Sequence, residues 1–291
     1  MTPRDILSSS SPESSLLYRW LGVAGIELTA HGQVILVDPY LTRIPFWRQW
    51  LGKVQSNRSL VNQTIPRADH ILVTHAHYDH MLDVPDLASA TRAVIYGSPN
   101  TCQLSRLSGL PSEQVCQVQD GQSLVLGSFT VKVFPALHRK LPFFTPGPLP
   151  RRLQPPFSAR QYRFDLCFSF LISVGGLELL VNAGSPPHLL PPADVLLVHP
   201  FYPEATYRQL FEQVQPRLVI PTHWDDLWRP LSQPPRPSFQ PPRWAFPPLR
   251  RVDLASFQRT LQRFDPDVRL FLPQRLKEYD LVGLLAGRIF E

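Results

Sequence analysis

The stretch Thr74-His75-Ala76-His77-Tyr78-Asp79-His80 constrains this chain more than any other. It gathers three histidines and one carboxylate in seven residues. The apolar run Ile71-Leu72-Val73 directly before it reads as a buried strand. The cluster therefore sits just past the carboxyl end of a strand, the edge where open α/β sheets carry their sites. His75 and His77, two apart, project to one side of extended backbone. Asp79 and His80 are expected in a turn leading to a helix over 83–90. Imidazole nitrogen and carboxylate oxygen suit zinc, and also iron or manganese. The competing reading is a chance group of solvated residues with Asp79 as a helix cap. Four ligand-type residues at one strand end make that the weaker reading.

The rest of the chain supplies the frame. Short Val-, Ile- and Leu-rich runs read as strands at Ile26–Thr29, Val34–Val37, Ile71–Thr74, Ala93–Tyr96, Leu124–Leu126 and Phe129–Phe134. Further runs lie at Leu166–Val174, Leu177–Val181, Val195–His199 and Leu218–Pro221. Gly127-Ser128 and Gly175-Gly176 predict two hairpins. Helices are expected over 83–90, 100–108, 204–214 and 253–263. Early hairpins followed by strands alternating with helices imply α/β class: a four-layer αββα sandwich of two mixed sheets with outer helices.

Proline punctuates this pattern, 33 times in 291 residues. It crowds into 139–157 and 229–251, which cannot be interior strand or helix. Two proline-rich loops, at about 139–165 and 229–251, are expected within a single domain over 16–291. A flexible, serine-rich tail over 1–15 is expected before it. The formal net charge of +6 is compatible with ordinary solubility or with anionic partners. Cys102, Cys116 and Cys167 are too few and too scattered for a disulfide framework and are expected as buried thiols. The start carries no apolar leader, and no run of about 18 apolar residues suggests a membrane span. A reducing, cytoplasmic location is the simplest expectation.

The motif His75-x-His77-x-Asp79-His80 after a strand resembles the metal motif of the metallo-β-lactamase fold superfamily. Phe134-Pro135-Ala136-Leu137-His138 and Ile220-Pro221-Thr222-His223-Trp224 are similar to the segments that carry that superfamily's later histidine ligands. Ile35-Leu36-Val37-Asp38-Pro39-Tyr40 is also family-like. The resemblance covers about 18–226. In detail it leans toward the branch of ascorbate-6-phosphate lactonase-like hydrolases and the phospholipase D that cleaves N-acylethanolamine phospholipids. It implies His75, His77 and His138 around one metal and Asp79, His80 and His223 around another. Asp38 would lie behind them and orient a ligand imidazole. The superfamily's bridging aspartate is missing: Val181-Asn182-Ala183-Gly184-Ser185 puts Ser185 in its place. One subclass of true metallo-β-lactamases has serine there too, so the residue set is compatible with two zinc ions, the second held more weakly, with a single ion as the fallback.

The implied chemistry is a metal-bound hydroxide attacking an ester, lactone or phosphodiester in a small or lipid-like substrate. Asp79 would orient that nucleophile. His199, after the strand at 195–198, is a candidate for helping the leaving group, as are Tyr202 and His188. Thr222 and Trp224 flank a ligand; Asp225 and Asp226 either support a ligand histidine or cap a turn. The proline-rich loops hold Arg139, Lys140, Phe143, Phe144, Arg151 and Arg152, then Arg236, Trp244, Arg250 and Arg251. Such a wall suits an anionic head group with an apolar tail, or peripheral contact with anionic lipid. A nuclease is the alternative enzyme, weakened by the lack of an aromatic–basic nucleic-acid motif. A catalytically weak metal- or partner-binding protein is the other alternative, for which Ser185 is the argument. Oligomeric state has no signal in the sequence.

Overall fold

A computed structural model describes residues 15–138, 146–186, 189–239 and 251–287. One seven-stranded sheet begins with β1 (Leu17–Gly22), β2 (Gly25–Ala30) and β3 (Gln33–Val37), an antiparallel meander. β4 (His70–Leu72), β5 (Val94–Gly97) and β6 (Val115–Gln117) then add in parallel. The second seven-stranded sheet holds β7 (Ser123–Leu126), β8 (Phe129–Pro135), β9 (Phe168–Val174), β10 (Leu177–Val181), β11 (Val195–Val198), β12 (Leu218–Pro221) and β13 (Arg269–Leu270). The chain returns at β14 (Glu278–Asp280) to pair with β1 in the first sheet. Both predicted hairpins form: Leu126 pairs with Phe129, and Leu177 with Val174 across Gly175 and Gly176 at φ of 57° and 82°.

Helices cover both outer faces. α1 (Arg58–Thr64), α2 (Tyr78–Met81), α3 (Val84–Thr91) and α4 (Pro99–Leu107) follow strands of the first sheet. α5 (Glu204–Val214) and α6 (Leu254–Gln262) belong to the second, and α7 (Leu281–Leu285) ends the described chain. Local chemistry sets their starts. The Ser98 hydroxyl accepts from the Thr101 amide with Pro99 next in line, and Asp253 accepts from the Ser256 amide. α5 buries Tyr207, Leu210, Phe211 and Val214, the spacing of one helical face.

Three apolar layers result, which makes the molecule the αββα sandwich the pattern implied. Ile35, Leu72, Phe129, Phe170, Leu179, Leu197 and Ile220 pack between the sheets. Leu36, Ile71 and Ile95 face Val61, Leu87 and Leu104 of the first helical layer. Leu180, Leu196 and Val219 face Leu210, Phe211 and Leu261 of the second. Strands buried on both faces read as unbroken apolar runs, and these do.

Some expectations need correction. Asp79 and His80 lie within a short helix, α2, because the His80 and Met81 amides both close onto the His77 carbonyl. Cys102 and Cys167 are buried, but Cys116 is only half-buried on the edge strand β6. From the first proline-rich loop, Leu149, Leu153, Phe157 and Tyr162 are buried in the first helical layer. Strands β1, β6, β13 and β14 and helices α1 and α7 were not expected. Residues 1–14 of the expected 1–15 tail, with Arg139, Lys140, Phe143, Phe144, His188, Trp244 and Arg250, lie outside the described residues. Among the described residues, no helix is long and apolar enough to cross a membrane.

Candidate metal centre

Six strand ends build this region. β3 and β4 run in parallel and end together. β8 is antiparallel to β9, and β9 to β10, so β8 points the same way as β10, β11 and β12. The residues just past these ends are Asp38, Thr74–His80, His138, Asn182–Ser185, His199 and His223. This is the carboxyl edge of both sheets, where backbone groups no longer needed for the ladder turn toward the groove.

The six predicted ligands come together there as two sets. One ligand atom each from His75, His77 and His138 lie within 4.8 Å of one another, and the same holds for Asp79, His80 and His223. His75 Nε2 approaches His77 Nδ1 at 3.2 Å, and His223 Nε2 approaches Asp79 Oδ2 at 3.1 Å. The His75 and His80 rings lie 3.9 Å apart, so the two sets share a wall. Mutually facing donor atoms at this spacing, without intervening hydrophobes, are what a small cation needs.

One carboxylate orients both sets. Asp38 accepts from the Thr74 amide at 2.8 Å and the Thr74 hydroxyl at 2.6 Å. His80 Nδ1–H donates to Asp38 Oδ2 at 2.7 Å, which leaves Nε2 with its lone pair toward Asp79. The Thr74 hydroxyl, its proton committed to Asp38, accepts from His75 Nδ1 at 3.0 Å. That leaves His75 Nε2 as a ligand atom too. Thr74 was not singled out from the sequence, although it directly precedes the motif.

Electrostatics separates the sets. Burial pushes the His75 imidazole well below its ordinary range, and the neighbouring imidazoles add to this. Burial, with His138 beside it, takes His77 down to about 3. Both rings are therefore neutral, the ligating form. Burial also opposes charge on His80, but the Asp38 and Asp79 carboxylates reverse the effect and hold it above its ordinary range. Asp79 resists burial in turn: His80 and the hydrogen bond from His223 keep its carboxyl below the usual carboxylate range.

The backbone around the site is strained. Val23, Asp38, Arg43 and His223 adopt φ of 50°, 46°, 51° and 54°. Each left-handed non-glycine residue costs about 1–3 kcal/mol and persists only where its surroundings fix it. Here they do. The His223 amide donates to the Val23 carbonyl at 2.7 Å, and the Val23 amide donates to Asp225 Oδ1 at 2.8 Å. Asp225 in turn pairs with Arg43 at 3.3 Å, with both side chains essentially inaccessible. Gly22 makes room for this: a Cβ there would lie 1.9 Å from an Arg43 guanidinium nitrogen.

Other predicted residues take definite places. Trp224 stacks on Trp20 at 5.2 Å between the sheets, so it packs behind His223. Asp225 braces Val23, and Asp226 pairs with Arg236 and accepts from the Trp228 amide. Tyr202 donates to Asn182 Oδ1 at 2.8 Å and Asn182 Nδ2 to the Gly184 carbonyl, fixing the turn that presents Ser185. Ser185 pairs through its backbone with Leu137, next to His138, so it stands beside the first set. Gly184 permits that approach, since a Cβ would meet the Leu137 carbonyl at 2.6 Å. His199 Nδ1 accepts from the Phe201 amide at 3.2 Å, and its ring packs 3.9 Å from Tyr202. Phe201 reaches on to His223 at 6.4 Å. Phe164, absent from any motif, lies 4.5 Å from the His138 ring and 5.0 Å from His77.

The model of a β-lactamase superfamily domain matches residues 33–158, which include Asp38, the 75–80 cluster and His138 but not His223. A UPF0173 metal-dependent hydrolase of Methylocella silvestris is 35% identical over 119 residues, 41% of this chain and 46% of that one. The chain thus spans about half the length of the curated relatives it matches. Among solved structures, the metallo-β-lactamase fold protein YhfI of Bacillus subtilis aligns with a TM-score of 0.54 at 12% identity, over 91% of this chain and 99% of that one. CmlA, a diiron β-hydroxylase of Streptomyces venezuelae, aligns at 0.55 and 17% identity, over 94% and 55%. At these identities the structures show a common fold.

Proposed function

We propose, for this member of the metallo-β-lactamase superfamily, metal-dependent hydrolysis of an ester, lactone or phosphodiester bond in a small or lipid-like substrate. The observation that carries the reading is the pair of three-donor sets side by side, each with its ligand atoms within 4.8 Å. A bound metal ion supplies Lewis acidity and a lowered pKa for coordinated water. Zinc is the proposed metal, as one or two ions, and the diiron centre named for CmlA makes iron the alternative. The Methylocella relative's name, metal-dependent hydrolase, supports the same chemistry.

The chain's own residues divide the work. His75, His77 and His138 hold one ion, and Asp79, His80 and His223 a second. Asp79, charged and nearly buried, accepts a hydrogen bond from the attacking water and orients it. Phe164 lies against His77 and His138 and keeps bulk water from the first set. His199 is the proposed proton carrier toward the leaving group: its Nδ1 accepts the Phe201 amide, so Nε2 bears the proton. Ser185 brings no charge to the place of the superfamily's bridging aspartate, so the second ion is the weaker one.

The test is a panel of bis(p-nitrophenyl) phosphate, a lactone and a phospholipid, offered to zinc- and iron-loaded protein. Turnover of one class that a chelator abolishes supports the reading. No turnover of any class by metal-loaded protein sinks it and leaves a metal- or partner-binding protein.

A further inference from the structure

Beside the metal centre the chain exposes a compact apolar group. Phe46, Trp47, Trp50 and Leu51 are 54%, 53%, 36% and 66% exposed. Single exposed hydrophobes need no explanation, but four within six residues mark an interaction surface. Phe46 and Trp47 sit on a tight 3-10 turn over Phe46–Gln49, between β3 and α1, and Trp50 and Leu51 directly follow it. The turn is held in place: Phe46 packs edge-on against Trp228 at 4.9 Å, and Trp50 lies under the Arg160 guanidinium at 4.9 Å. Gln49, its buried member, accepts from the Tyr78 hydroxyl, and Tyr78 stands between His77 and Asp79. The patch is therefore tied to α2, the helix that carries Asp79 and His80.

Its charge is one-sided. Residues 40–68 hold Arg43, Arg48, Lys53, Arg58 and Arg67, with no aspartate or glutamate. Arg43 is buried against Asp225, while Arg58 and Arg67 pair with Asp86 and Asp69. Among the described residues, no carboxylate pairs with Arg48, Lys53 or Arg160. Arg48 stacks over Trp47 at 4.6 Å, so cation and indole are presented together.

We propose that this turn docks the protein on an anionic phospholipid surface. Phe46, Trp47, Trp50 and Leu51 enter the boundary between head groups and acyl chains, where amphipathic rings are favoured. Arg48, Lys53 and Arg160 meet the head-group phosphates. A second copy of the chain is the poorer occupant, because a two-fold contact would set these same cations against each other. This moves lipid contact from the proline-rich loops to the 46–53 turn. It does not depend on the hydrolase reading, since binding is measured without turnover.

The experiment is co-sedimentation of the full chain with vesicles of phosphatidylcholine alone or with about 30% phosphatidylglycerol. The expected result is binding to the anionic vesicles, weak binding to the neutral ones, and release by about 0.5 M salt. Trp47→Ala/Leu51→Ala should weaken binding about tenfold, and Arg48→Glu/Lys53→Glu at least as much. Both variants should keep the wild-type melting temperature and metal content, since the altered side chains are exposed. Absence of vesicle binding, equal binding to both vesicle types, or wild-type binding by Trp47→Ala/Leu51→Ala would overturn the proposal. So would sedimentation equilibrium showing a dimer that Trp47→Ala/Leu51→Ala dissociates, which would assign the patch to a second copy.

Discussion

The set formed by His75, His77 and His138 holds two imidazoles that burial disfavours as cations; the set formed by Asp79, His80 and His223 is built around a carboxylate that favours a proton on His80. Burial holds His75 and His77 below their ordinary range, so nothing has to leave before they bind a cation. His80 is held above its range by Asp38 and Asp79, so a cation there competes with a proton. The second set also depends on a strained turn at His223, braced by nearby Asp225 and by Val23 and Arg43 from far away in the chain. Two sites built from one motif thus differ in charge and in support. The first set should hold metal more tightly near neutral pH. On the proposed reading, the second set supplies the carboxylate for chemistry at a cost in affinity.

The largest break of this comparison is His77→Ala. It removes a ligand from the tight set, and we expect hydrolysis to fall by about 10³-fold or more, with loss of the tightly held metal. Retained activity in a chelator-treated, reloaded variant would refute metal catalysis through this set. Arg43→Met comes next. It leaves Asp225 charged and buried, so chemical denaturation should show a loss of about 3–5 kcal/mol. The weaker metal site should suffer before the tighter one, since Asp225 braces His223 through Val23.

Asp38→Asn and Thr74→Val divide the sets more finely. An asparagine amide facing His80 would donate where the carboxylate accepts, turning the imidazole's lone pair away from the site. We expect metal affinity to fall about 10–100-fold, with the second set hit hardest. Thr74→Val cuts the 3.0 Å link to His75 and a longer 3.4 Å contact to His80, which keeps its bond to Asp38, so calorimetric metal titration should show the first set weakened more than the other. The smallest effect is a gain: Ser185→Asp should tighten the second ion about tenfold. Unchanged affinity would show that Ser185 does not reach the space between the sets.

What the sequence made legible were features carried by neighbouring residues. The 75–80 cluster, the two glycine hairpins and the double-faced strands announce themselves in runs of a few residues. His138 and His223 followed because each ends an apolar strand in a recognisable segment. Features made by distant partners stayed hidden. Arg43 and Asp225 are 182 residues apart; Asp225 stands out in the sequence only as a neighbour of His223, and its pairing with Arg43 shows only once the fold puts both out of water. β6 and β14 have three residues each, too short for a period, and exist because β5 and β1 offer an edge. Phe164 reaches the metal centre from a proline-rich stretch whose composition said only "loop". Asp79 and His80 were placed in a turn because a four-residue helix is below what spacing can reveal.

Metal content measured during stepwise chelator titration, on protein purified without chelator, tests the central claim most directly. The account predicts two equivalents per chain, released in two steps, with the second set emptied first and the His77→Ala variant lacking the tight step. No bound metal, or two equivalents leaving in a single step that His77→Ala does not change, would contradict it.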